Sequence, residues 1–235
     1  MEQDVTPRLS IIIPVLDEAA VLPGLLASLV PFREAGDEVI VADGGSRDGT
    51  PASAARRADR VVGTPPGRAR QMNAGAARAC GGMLWFLHAD SRLTPGCRDA
   101  LLDAVDGGAA WGRFDVRLSG DRWLYRVIAA AMNTRSRWTG IATGDQGLFV
   151  DAGVFRRVGG FPEQPLMEDI ALSARLRRVA PPWCAPGPLV TSSRRWERNG
   201  AWRTIALMWR LRLAYRLGAD PQRLHRRYYR SGDAP

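Results

Sequence analysis

Residues 9–18 read LSIIIPVLDE, an apolar run from Leu9 to Val15 followed by two carboxylates, Asp17 and Glu18. A strand with one face in water alternates apolar and polar residues. This run is apolar at consecutive positions, as strands are when helices cover both faces of a parallel sheet. The pattern recurs in EVIVAD from Glu38 to Asp43, in Arg60-Val61-Val62, and in MLWFL from Met83 to Leu87. Between these runs, Ala19 to Leu29, the stretch from about Thr50, and the alanine-rich Arg68 to Cys80 have helical composition. The alternation predicts an α/β fold: a Rossmann-like, mostly parallel central sheet flanked by helices.

The second half is less regular. A strand is expected over Ala110 to Leu118 and a helix over Trp123 to Met132. Gly144-Asp145-Gln146-Gly147 is a turn before a short apolar piece. Met167 to Val179 reads as a helix after a Gly- and Pro-containing loop, and a long helical pattern runs from about Ala201 to Leu217.

A chain of 235 residues, 46% hydrophobic, makes one domain or one domain with an appendage. No apolar run reaches the ~18 residues a spanning helix needs. Glu2 and Asp4 stand where a secretory signal would be basic. Cys80, Cys97 and Cys184 stand singly, which excludes a zinc ribbon and a disulfide framework. The expectation is a cytoplasmic protein with reduced thiols, free or peripheral on the inner face of the membrane.

The formal charge of +9 is carried without a single lysine. Residues 194–235 hold 11 arginines and three acids, a net of +8, which leaves +1 for residues 1–193. The chain therefore divides into a near-neutral domain, 1–193, and a basic helical segment, 194–235, packed on it or appended. Charge this local argues against nucleic acid as a partner. WRTIALMWRLRLAYRL, residues 202–217, mixes large apolar side chains with Arg203, Arg210, Arg212 and Arg216. Such a helix can lie on an anionic membrane surface or pack on the domain with its arginines in water. Both readings stay open.

Open parallel α/β sheets bind ligands outside the carboxyl ends of their strands. Three of the expected strand ends carry acids: Asp17 and Glu18, Asp43, and Asp90 in FLHADS. Together on one edge they point to a shared site. Acids without a zinc-type ligand set suit a hard divalent cation, Mn²⁺ or Mg²⁺. His88 lies two residues before Asp90, so both can point to one side of a strand. A P-loop is excluded by the absence of lysine. A dinucleotide fingerprint is a poor fit, because the first turn reads Pro14-Val15-Leu16-Asp17-Glu18-Ala19.

Four segments in order, SIIIPVLDEAAVLPGLLASL, EVIVADGGSRDGT, GRARQMNAGAARACGGMLWFLHADS and GGFPEQPLMEDIALSARLRR, resemble the family 2 glycosyltransferases of GT-A fold. The likeness covers roughly residues 9–180. SSRRW, residues 192–196, is similar to the family's Q-x-x-R-W with serine for glutamine, and the FLHAD, GDQG, plMED and SRRW signatures resemble those of a small bacterial branch. The resemblance implies an inverting transferase using a nucleotide-diphosphate sugar, UDP favoured over GDP, and an acceptor hydroxyl of lipid-like or small-molecule type.

It also implies roles. FLHADS stands at the family's D-x-D motif, with His88 for the first aspartate and Asp90 keeping the second, the ligand of the divalent metal. Pro14 and Glu18 match the first nucleotide loop, and Asp43 the aspartate that contacts the base. His88, Arg68 and Arg70 fall among the donor contacts. Gly144, Asp145, Gln146, Arg195 and Trp196 fall on the acceptor side or the donor phosphate. Asp169, in Met167-Glu168-Asp169-Ile170, is the general base. Each residue also has a structural reading: helix capping for Glu168 and Asp169, core packing for Trp196, a solvated helix face for Arg68 and Arg70. A non-catalytic nucleotide-sugar binder or membrane-surface adaptor on the same fold is the rival. A nucleotidyltransferase fits less well, for want of a glycine-rich loop and lysine near the first strand.

Overall fold

A computed structural model describes residues 8–229, with Arg195 and Asn199 described by backbone alone. The first half runs β1 (Leu9–Val15), α1 (Leu22–Ser28), α2 (Val30–Glu34), β2 (Glu38–Asp43), α3 (Thr50–Ala55), β3 (Arg60–Gly63), α4 (Arg68–Ala76) and β4 (Met83–Phe86). The second half adds α5 (Cys97–Asp106), β5 (Trp111–Leu118), α6 (Trp123–Thr139), a 3-10 turn over Gly144–Gln146, β6 (Phe149–Asp151), α7 (Ala152–Arg157) and α8 (Glu168–Leu176). Then come β7 (Trp183–Thr191), α9 (Arg194–Asn199), α10 (Ala201–Arg216) and α11 (Pro221–Tyr229).

One seven-stranded sheet has the order β3-β2-β1-β4-β6-β5-β7. β1 pairs parallel with both β2 and β4, and β2 pairs parallel with β3. Strand order thus reverses between β1 and β4, which makes that edge the topological switch point. β6 alone runs antiparallel, to β4 and to β5. Its reversal matters: residues just before β6 lie at the carboxyl end of β4, where Phe86 N–H donates to Leu148 C=O at 2.9 Å.

Alternation along the strands fills two cores. Leu9, Ile11, Ile13 and Val15 face one side, with Leu22, Leu26, Trp85, Leu87 and Leu101. Ile12 faces the other, with Met72, Leu84, Phe86, Phe155, Phe161 and Leu172. Each such side chain, fully buried, contributes about 1.5–3 kcal/mol. α4 lies so close to β1 that a Cβ on Gly75 would sit 2.6 Å from Ile12 Cγ2.

The helix expected over Ala19 to Leu29 is α1, which begins three residues later, and a second short helix, α2, follows it; each has Pro in its first turn. α6 runs a further two turns beyond Met132. β7 was not foreseen, because CAPGPLVT carries the residues of a loop; an edge position tolerates its prolines. The basic segment packs on the domain: Ala201 and Ile205 of α10, with Trp196, cover Leu118, Tyr125 and Ile128. Farther along α10, Leu211 packs with Met167 and Leu224.

Candidate active site

The buried acids at the amino edge of the sheet are fully engaged. Glu38 accepts from Ser10 Oγ at 2.7 Å, Arg60 Nε at 2.9 Å and Cys80 N–H at 2.9 Å, and Asp37 accepts from Arg98 Nε at 2.7 Å. The carboxyl edge is different, and the sequence motifs gather there.

Pro14 is buried within β1, opposite Ala42. After it the chain turns sharply, with Asp17 at φ +54°. Asp17 N–H donates to Ser46 Oγ at 2.9 Å and its Oδ1 accepts from Arg47 N–H at 2.7 Å, so the loops after β1 and β2 brace each other. Asp43 accepts from the N–H groups of Gly45 and Ser46 and from Ser46 Oγ, and so caps its own turn. Glu18 N–H donates to Thr50 Oγ1 at 2.8 Å. Its carboxyl is raised, first by burial and then by the charge of Asp90. Those two acids therefore lie close enough at the switch point to feel each other's charge.

His88 and Asp90 part company. Phe86 packs on the α4 side of the sheet, and His88, two residues on, follows it there. Arg68 Nη2 lies 2.9 Å from His88 Nδ1 and 2.8 Å from Nε2. Burial, and then the Arg68 charge, holds the imidazole well below its ordinary value, hence neutral. A turn, Ser91 N–H to His88 C=O at 3.0 Å, sends Asp90 elsewhere. Arg92 then forms an antiparallel bridge with Val190 of β7. That bridge brings the loop after β4 beside the segment after β7, and Arg194 Nη2 reaches Asp90 Oδ2 at 3.6 Å.

On the far side of His88 stands the turn at Gly144. Thr143 and Gln146 form a capping box around Gly144–Gln146, with Gln146 fully buried. Asp145 Oδ1 accepts from Thr143 Oγ1 at 2.5 Å. Gly144 N–H donates to Asp169 Oδ2 at 2.8 Å. A Cβ on Gly144 would lie 2.6 Å from His88 Nε2, so only glycine lets the three groups meet. Met167, at φ +67°, turns the chain into α8 and aims Glu168 and Asp169 inward. Met72, Phe86, Leu148 and Phe161 complete a small cavity with His88, Gly144, Glu168 and Asp169.

The two acids of α8 titrate together. Burial, then the Asp169 charge, pushes Glu168 up to about 7. Burial also raises Asp169, while the N–H groups of Gly144 and Ile170 pull the other way. A carboxylate fixed by two backbone donors is held in one orientation, which a general base requires.

Other expected residues sit outside this cluster. Arg70 Nε donates to Glu163 at 3.2 Å on an exposed face. Trp196 packs in the core beneath α6 rather than toward the turn at Gly144. The Arg195 side chain lies outside the described residues. Arg194 and Arg135 of α6 were not singled out in the sequence, and Arg212 of α10 was grouped with the surface arginines. A signal existed for the last two. Arg135 lies seven residues after Ile128, and Arg212 seven after Ile205, on helix faces that bury. Arg212 thus turns inward, not toward a membrane with Arg203, Arg210 and Arg216, which are exposed.

For a divalent cation the donor set is small. Among the described residues no group of three or more His, Cys, Asp or Glu is arranged to hold one. Asp90, accessible and beside Glu18, fits a cation of the Mg²⁺ type that takes one or two carboxylates and fills its shell with water and phosphate oxygens. His88, neutral and engaged by Arg68, faces away from it.

Residues 10–159 match the model of the family described as Glycosyl transferase family 2. No curated protein matches. Among solved structures, residues 1–349 of S. aureus TarS in complex with UDP superpose with a TM-score of 0.63 at 16% identity, covering 79% of this chain and 60% of that one. Glucosyl-3-phosphoglycerate synthase from Mycobacterium tuberculosis, in complex with Mn²⁺, UDP and phosphoglyceric acid, superposes with a TM-score of 0.61 at 20% identity, covering 90% of this chain and 79% of that one. The chain thus spans about 60% of the TarS fragment. The match over most of its length makes it a member of glycosyl transferase family 2, and the superpositions give it a GT-A-like sheet.

Proposed function

We propose that this family 2 glycosyltransferase moves a sugar from a nucleoside-diphosphate donor, UDP favoured, to an acceptor hydroxyl with inversion. The observation that carries the reading is the Asp169 carboxyl, raised by burial and oriented by Gly144 N–H at 2.8 Å, next to the switch-point edge. Asp169 takes the hydroxyl proton as the acceptor oxygen bonds to the anomeric carbon. The anomeric C–O bond to the diphosphate breaks, and its electron pair leaves with the diphosphate. Arg68 and Arg194, flanking Glu18 and Asp90, supply positive charge for the phosphates. Asp90, with Glu18 beside it, would hold the divalent metal, which when bound neutralises charge on the leaving group. The complexes of the TarS fragment with UDP and of the mycobacterial synthase with Mn²⁺ and UDP support this choice of donor and cation.

A thermal-shift screen of UDP- and GDP-sugars with and without Mn²⁺ tests the donor, since a ligand at a hundredfold excess over Kd adds about 2.7 kcal/mol to apparent stability. Slow release of UDP from the donor without acceptor separates an enzyme from a binding protein of the same fold. Asp90→Ala should abolish the Mn²⁺-dependent part of donor binding while the metal-free part stays; full metal enhancement in this variant would move the ligand elsewhere.

One observation favours a membrane-surface location as well. α6 exposes Trp123 and Trp138, and α10 exposes Trp202, Trp209, Leu213 and Leu217, among the arginines of a basic segment. Exposed tryptophans between cations suit an anionic lipid interface. No helix among the described residues is long and apolar enough to cross a membrane.

A further inference from the structure

α6 and α10 meet at an apolar seam. Ile128 and Met132 of α6 face Ile205 of α10. One helical turn past Met132 the seam ends in Arg135, and two turns past Ile205 it ends in Arg212. Leu211, next to Arg212, packs on Met167 at the start of α8, which sets this end of the seam against the turn that aims Asp169. Here Nε and Nη2 of Arg135 and Nε of Arg212 are shielded from solvent without a hydrogen-bond partner among the described residues. A guanidinium stays charged, and buried donors left without a partner keep their full desolvation penalty. The nearby carboxylates Asp145 and Asp169 balance the charge, yet neither forms an ion pair with these arginines among the described residues. Arg113, a third cation close by, pairs with Asp115 and donates to the Phe114 and Asn133 carbonyls, though its Nε too is shielded without a partner among the described residues. Burial, and then the like charge of Arg212, brings the Arg135 guanidinium down to about 10, which leaves it a cation at neutral pH.

We infer that Arg135 and Arg212 hold an oxyanion on the acceptor, a phosphate or a carboxylate, while the hydroxyl to be glycosylated sits at Asp169. Two guanidinium forks with unused donors match the geometry of such a group. The inference rests on Asp169 as the acceptor's base. It makes the acceptor a hydroxyl compound with an anionic group a short distance from the reacting oxygen. The donor diphosphate is a separate ligand, on the other side of His88 with Arg68 and Arg194.

The test uses the full chain saturated with UDP, so that the donor site is filled, and titrates inorganic phosphate, with acetate as the carboxylate probe. One oxyanion should bind per UDP-loaded molecule. Arg135→Gln and Arg212→Gln should each weaken it by about tenfold or more, the loss of one charge-assisted contact, with UDP affinity preserved as the check on folding. No uptake of either probe by UDP-loaded wild type overturns the inference, whatever the variants do, and so does uptake that both variants retain in full. Failure of UDP itself to bind would instead strike the donor reading. Glycerol phosphate in solution and phosphatidylglycerol in vesicles both pair a hydroxyl with a phosphate. Run as separate acceptor arms, they tell a soluble source from a lipid one, and transfer to either should fall in the same two variants.

Discussion

Two demands fall on the Asp169 carboxyl: it accepts from Gly144 N–H, and as the proposed base it must be free to take a proton. Asp169→Asn keeps the shape but presents an amide where two N–H groups donate. Turnover should fall roughly 10²-fold or more, with donor affinity little changed. Losing one hydrogen bond, about 1 kcal/mol, should lower Tm by about 2–4 °C. Near-normal turnover with only the Tm loss would leave Asp169 a cap. Glu168 predicts a pH effect of definite sign. Its folded-state value, about 7, lies above the ordinary 4.5, so its contribution to stability is whole below about pH 4.5 and is lost as pH rises through 7. Glu168→Gln should flatten Tm between those limits and raise it at pH 8; an unchanged profile would mean that Glu168 ionises freely. The sequence displayed both acids, and it displayed His88. It could not display that His88 would turn toward Arg68 while Asp90 turned toward Arg194, because that division depends on a turn and on a bridge to Val190 a hundred residues away.

At the scale of elements, the first four strands were legible because each is apolar on both faces, a pattern that survives in one dimension. β3 is the partial exception, exposed at the sheet edge, where Val61 and Val62 still carry strand propensity. The antiparallel sense of β6 is a matter of pairing, not composition, and no local pattern announces it. α5 did carry a signal: Cys97, Ala100, Leu101 and Ala104 are buried at helical spacing, within a stretch whose Pro and Gly read as loop. α10 owes its place to tertiary contact. Leu211, 3% exposed, joins it to Met167 and to Leu224 of α11. Leu211→Ala should cost about 2–5 kcal/mol, seen as a Tm lower by roughly 5–15 °C. UDP binding at the strand ends should persist in the folded protein; loss of donor binding with an unchanged Tm would contradict this layout.

For the whole molecule, the segment beyond residue 193 is set apart by its charge, yet it packs on the domain, against α6 and against Met167 at the start of α8. A basic tail packed against the turn that leads into Asp169 ties any surface it touches to that turn. The protein should co-sediment with phosphatidylglycerol vesicles at low ionic strength. Each arginine near such a surface adds about 1 kcal/mol, and rising salt should release the protein as screening shortens. Trp202→Ala with Trp209→Ala should weaken sedimentation at any salt; binding indifferent to both changes would remove α10 from the contact. The Arg92–Val190 bridge has a consequence for how copies of this chain meet. Its two backbone bonds, 2.8 and 3.0 Å, use the outward-facing groups of Val190, and Thr94 Oγ1 donates to the carbonyl of Pro188 at 3.0 Å. Pro186 and Pro188 have no N–H to offer. The outer edge of β7 therefore lacks the row of open donors and acceptors on which a second sheet could template itself. Edge-to-edge polymerisation, the standing hazard of an open sheet, is closed off on that side by the same short segment that carries Asp90 to its place.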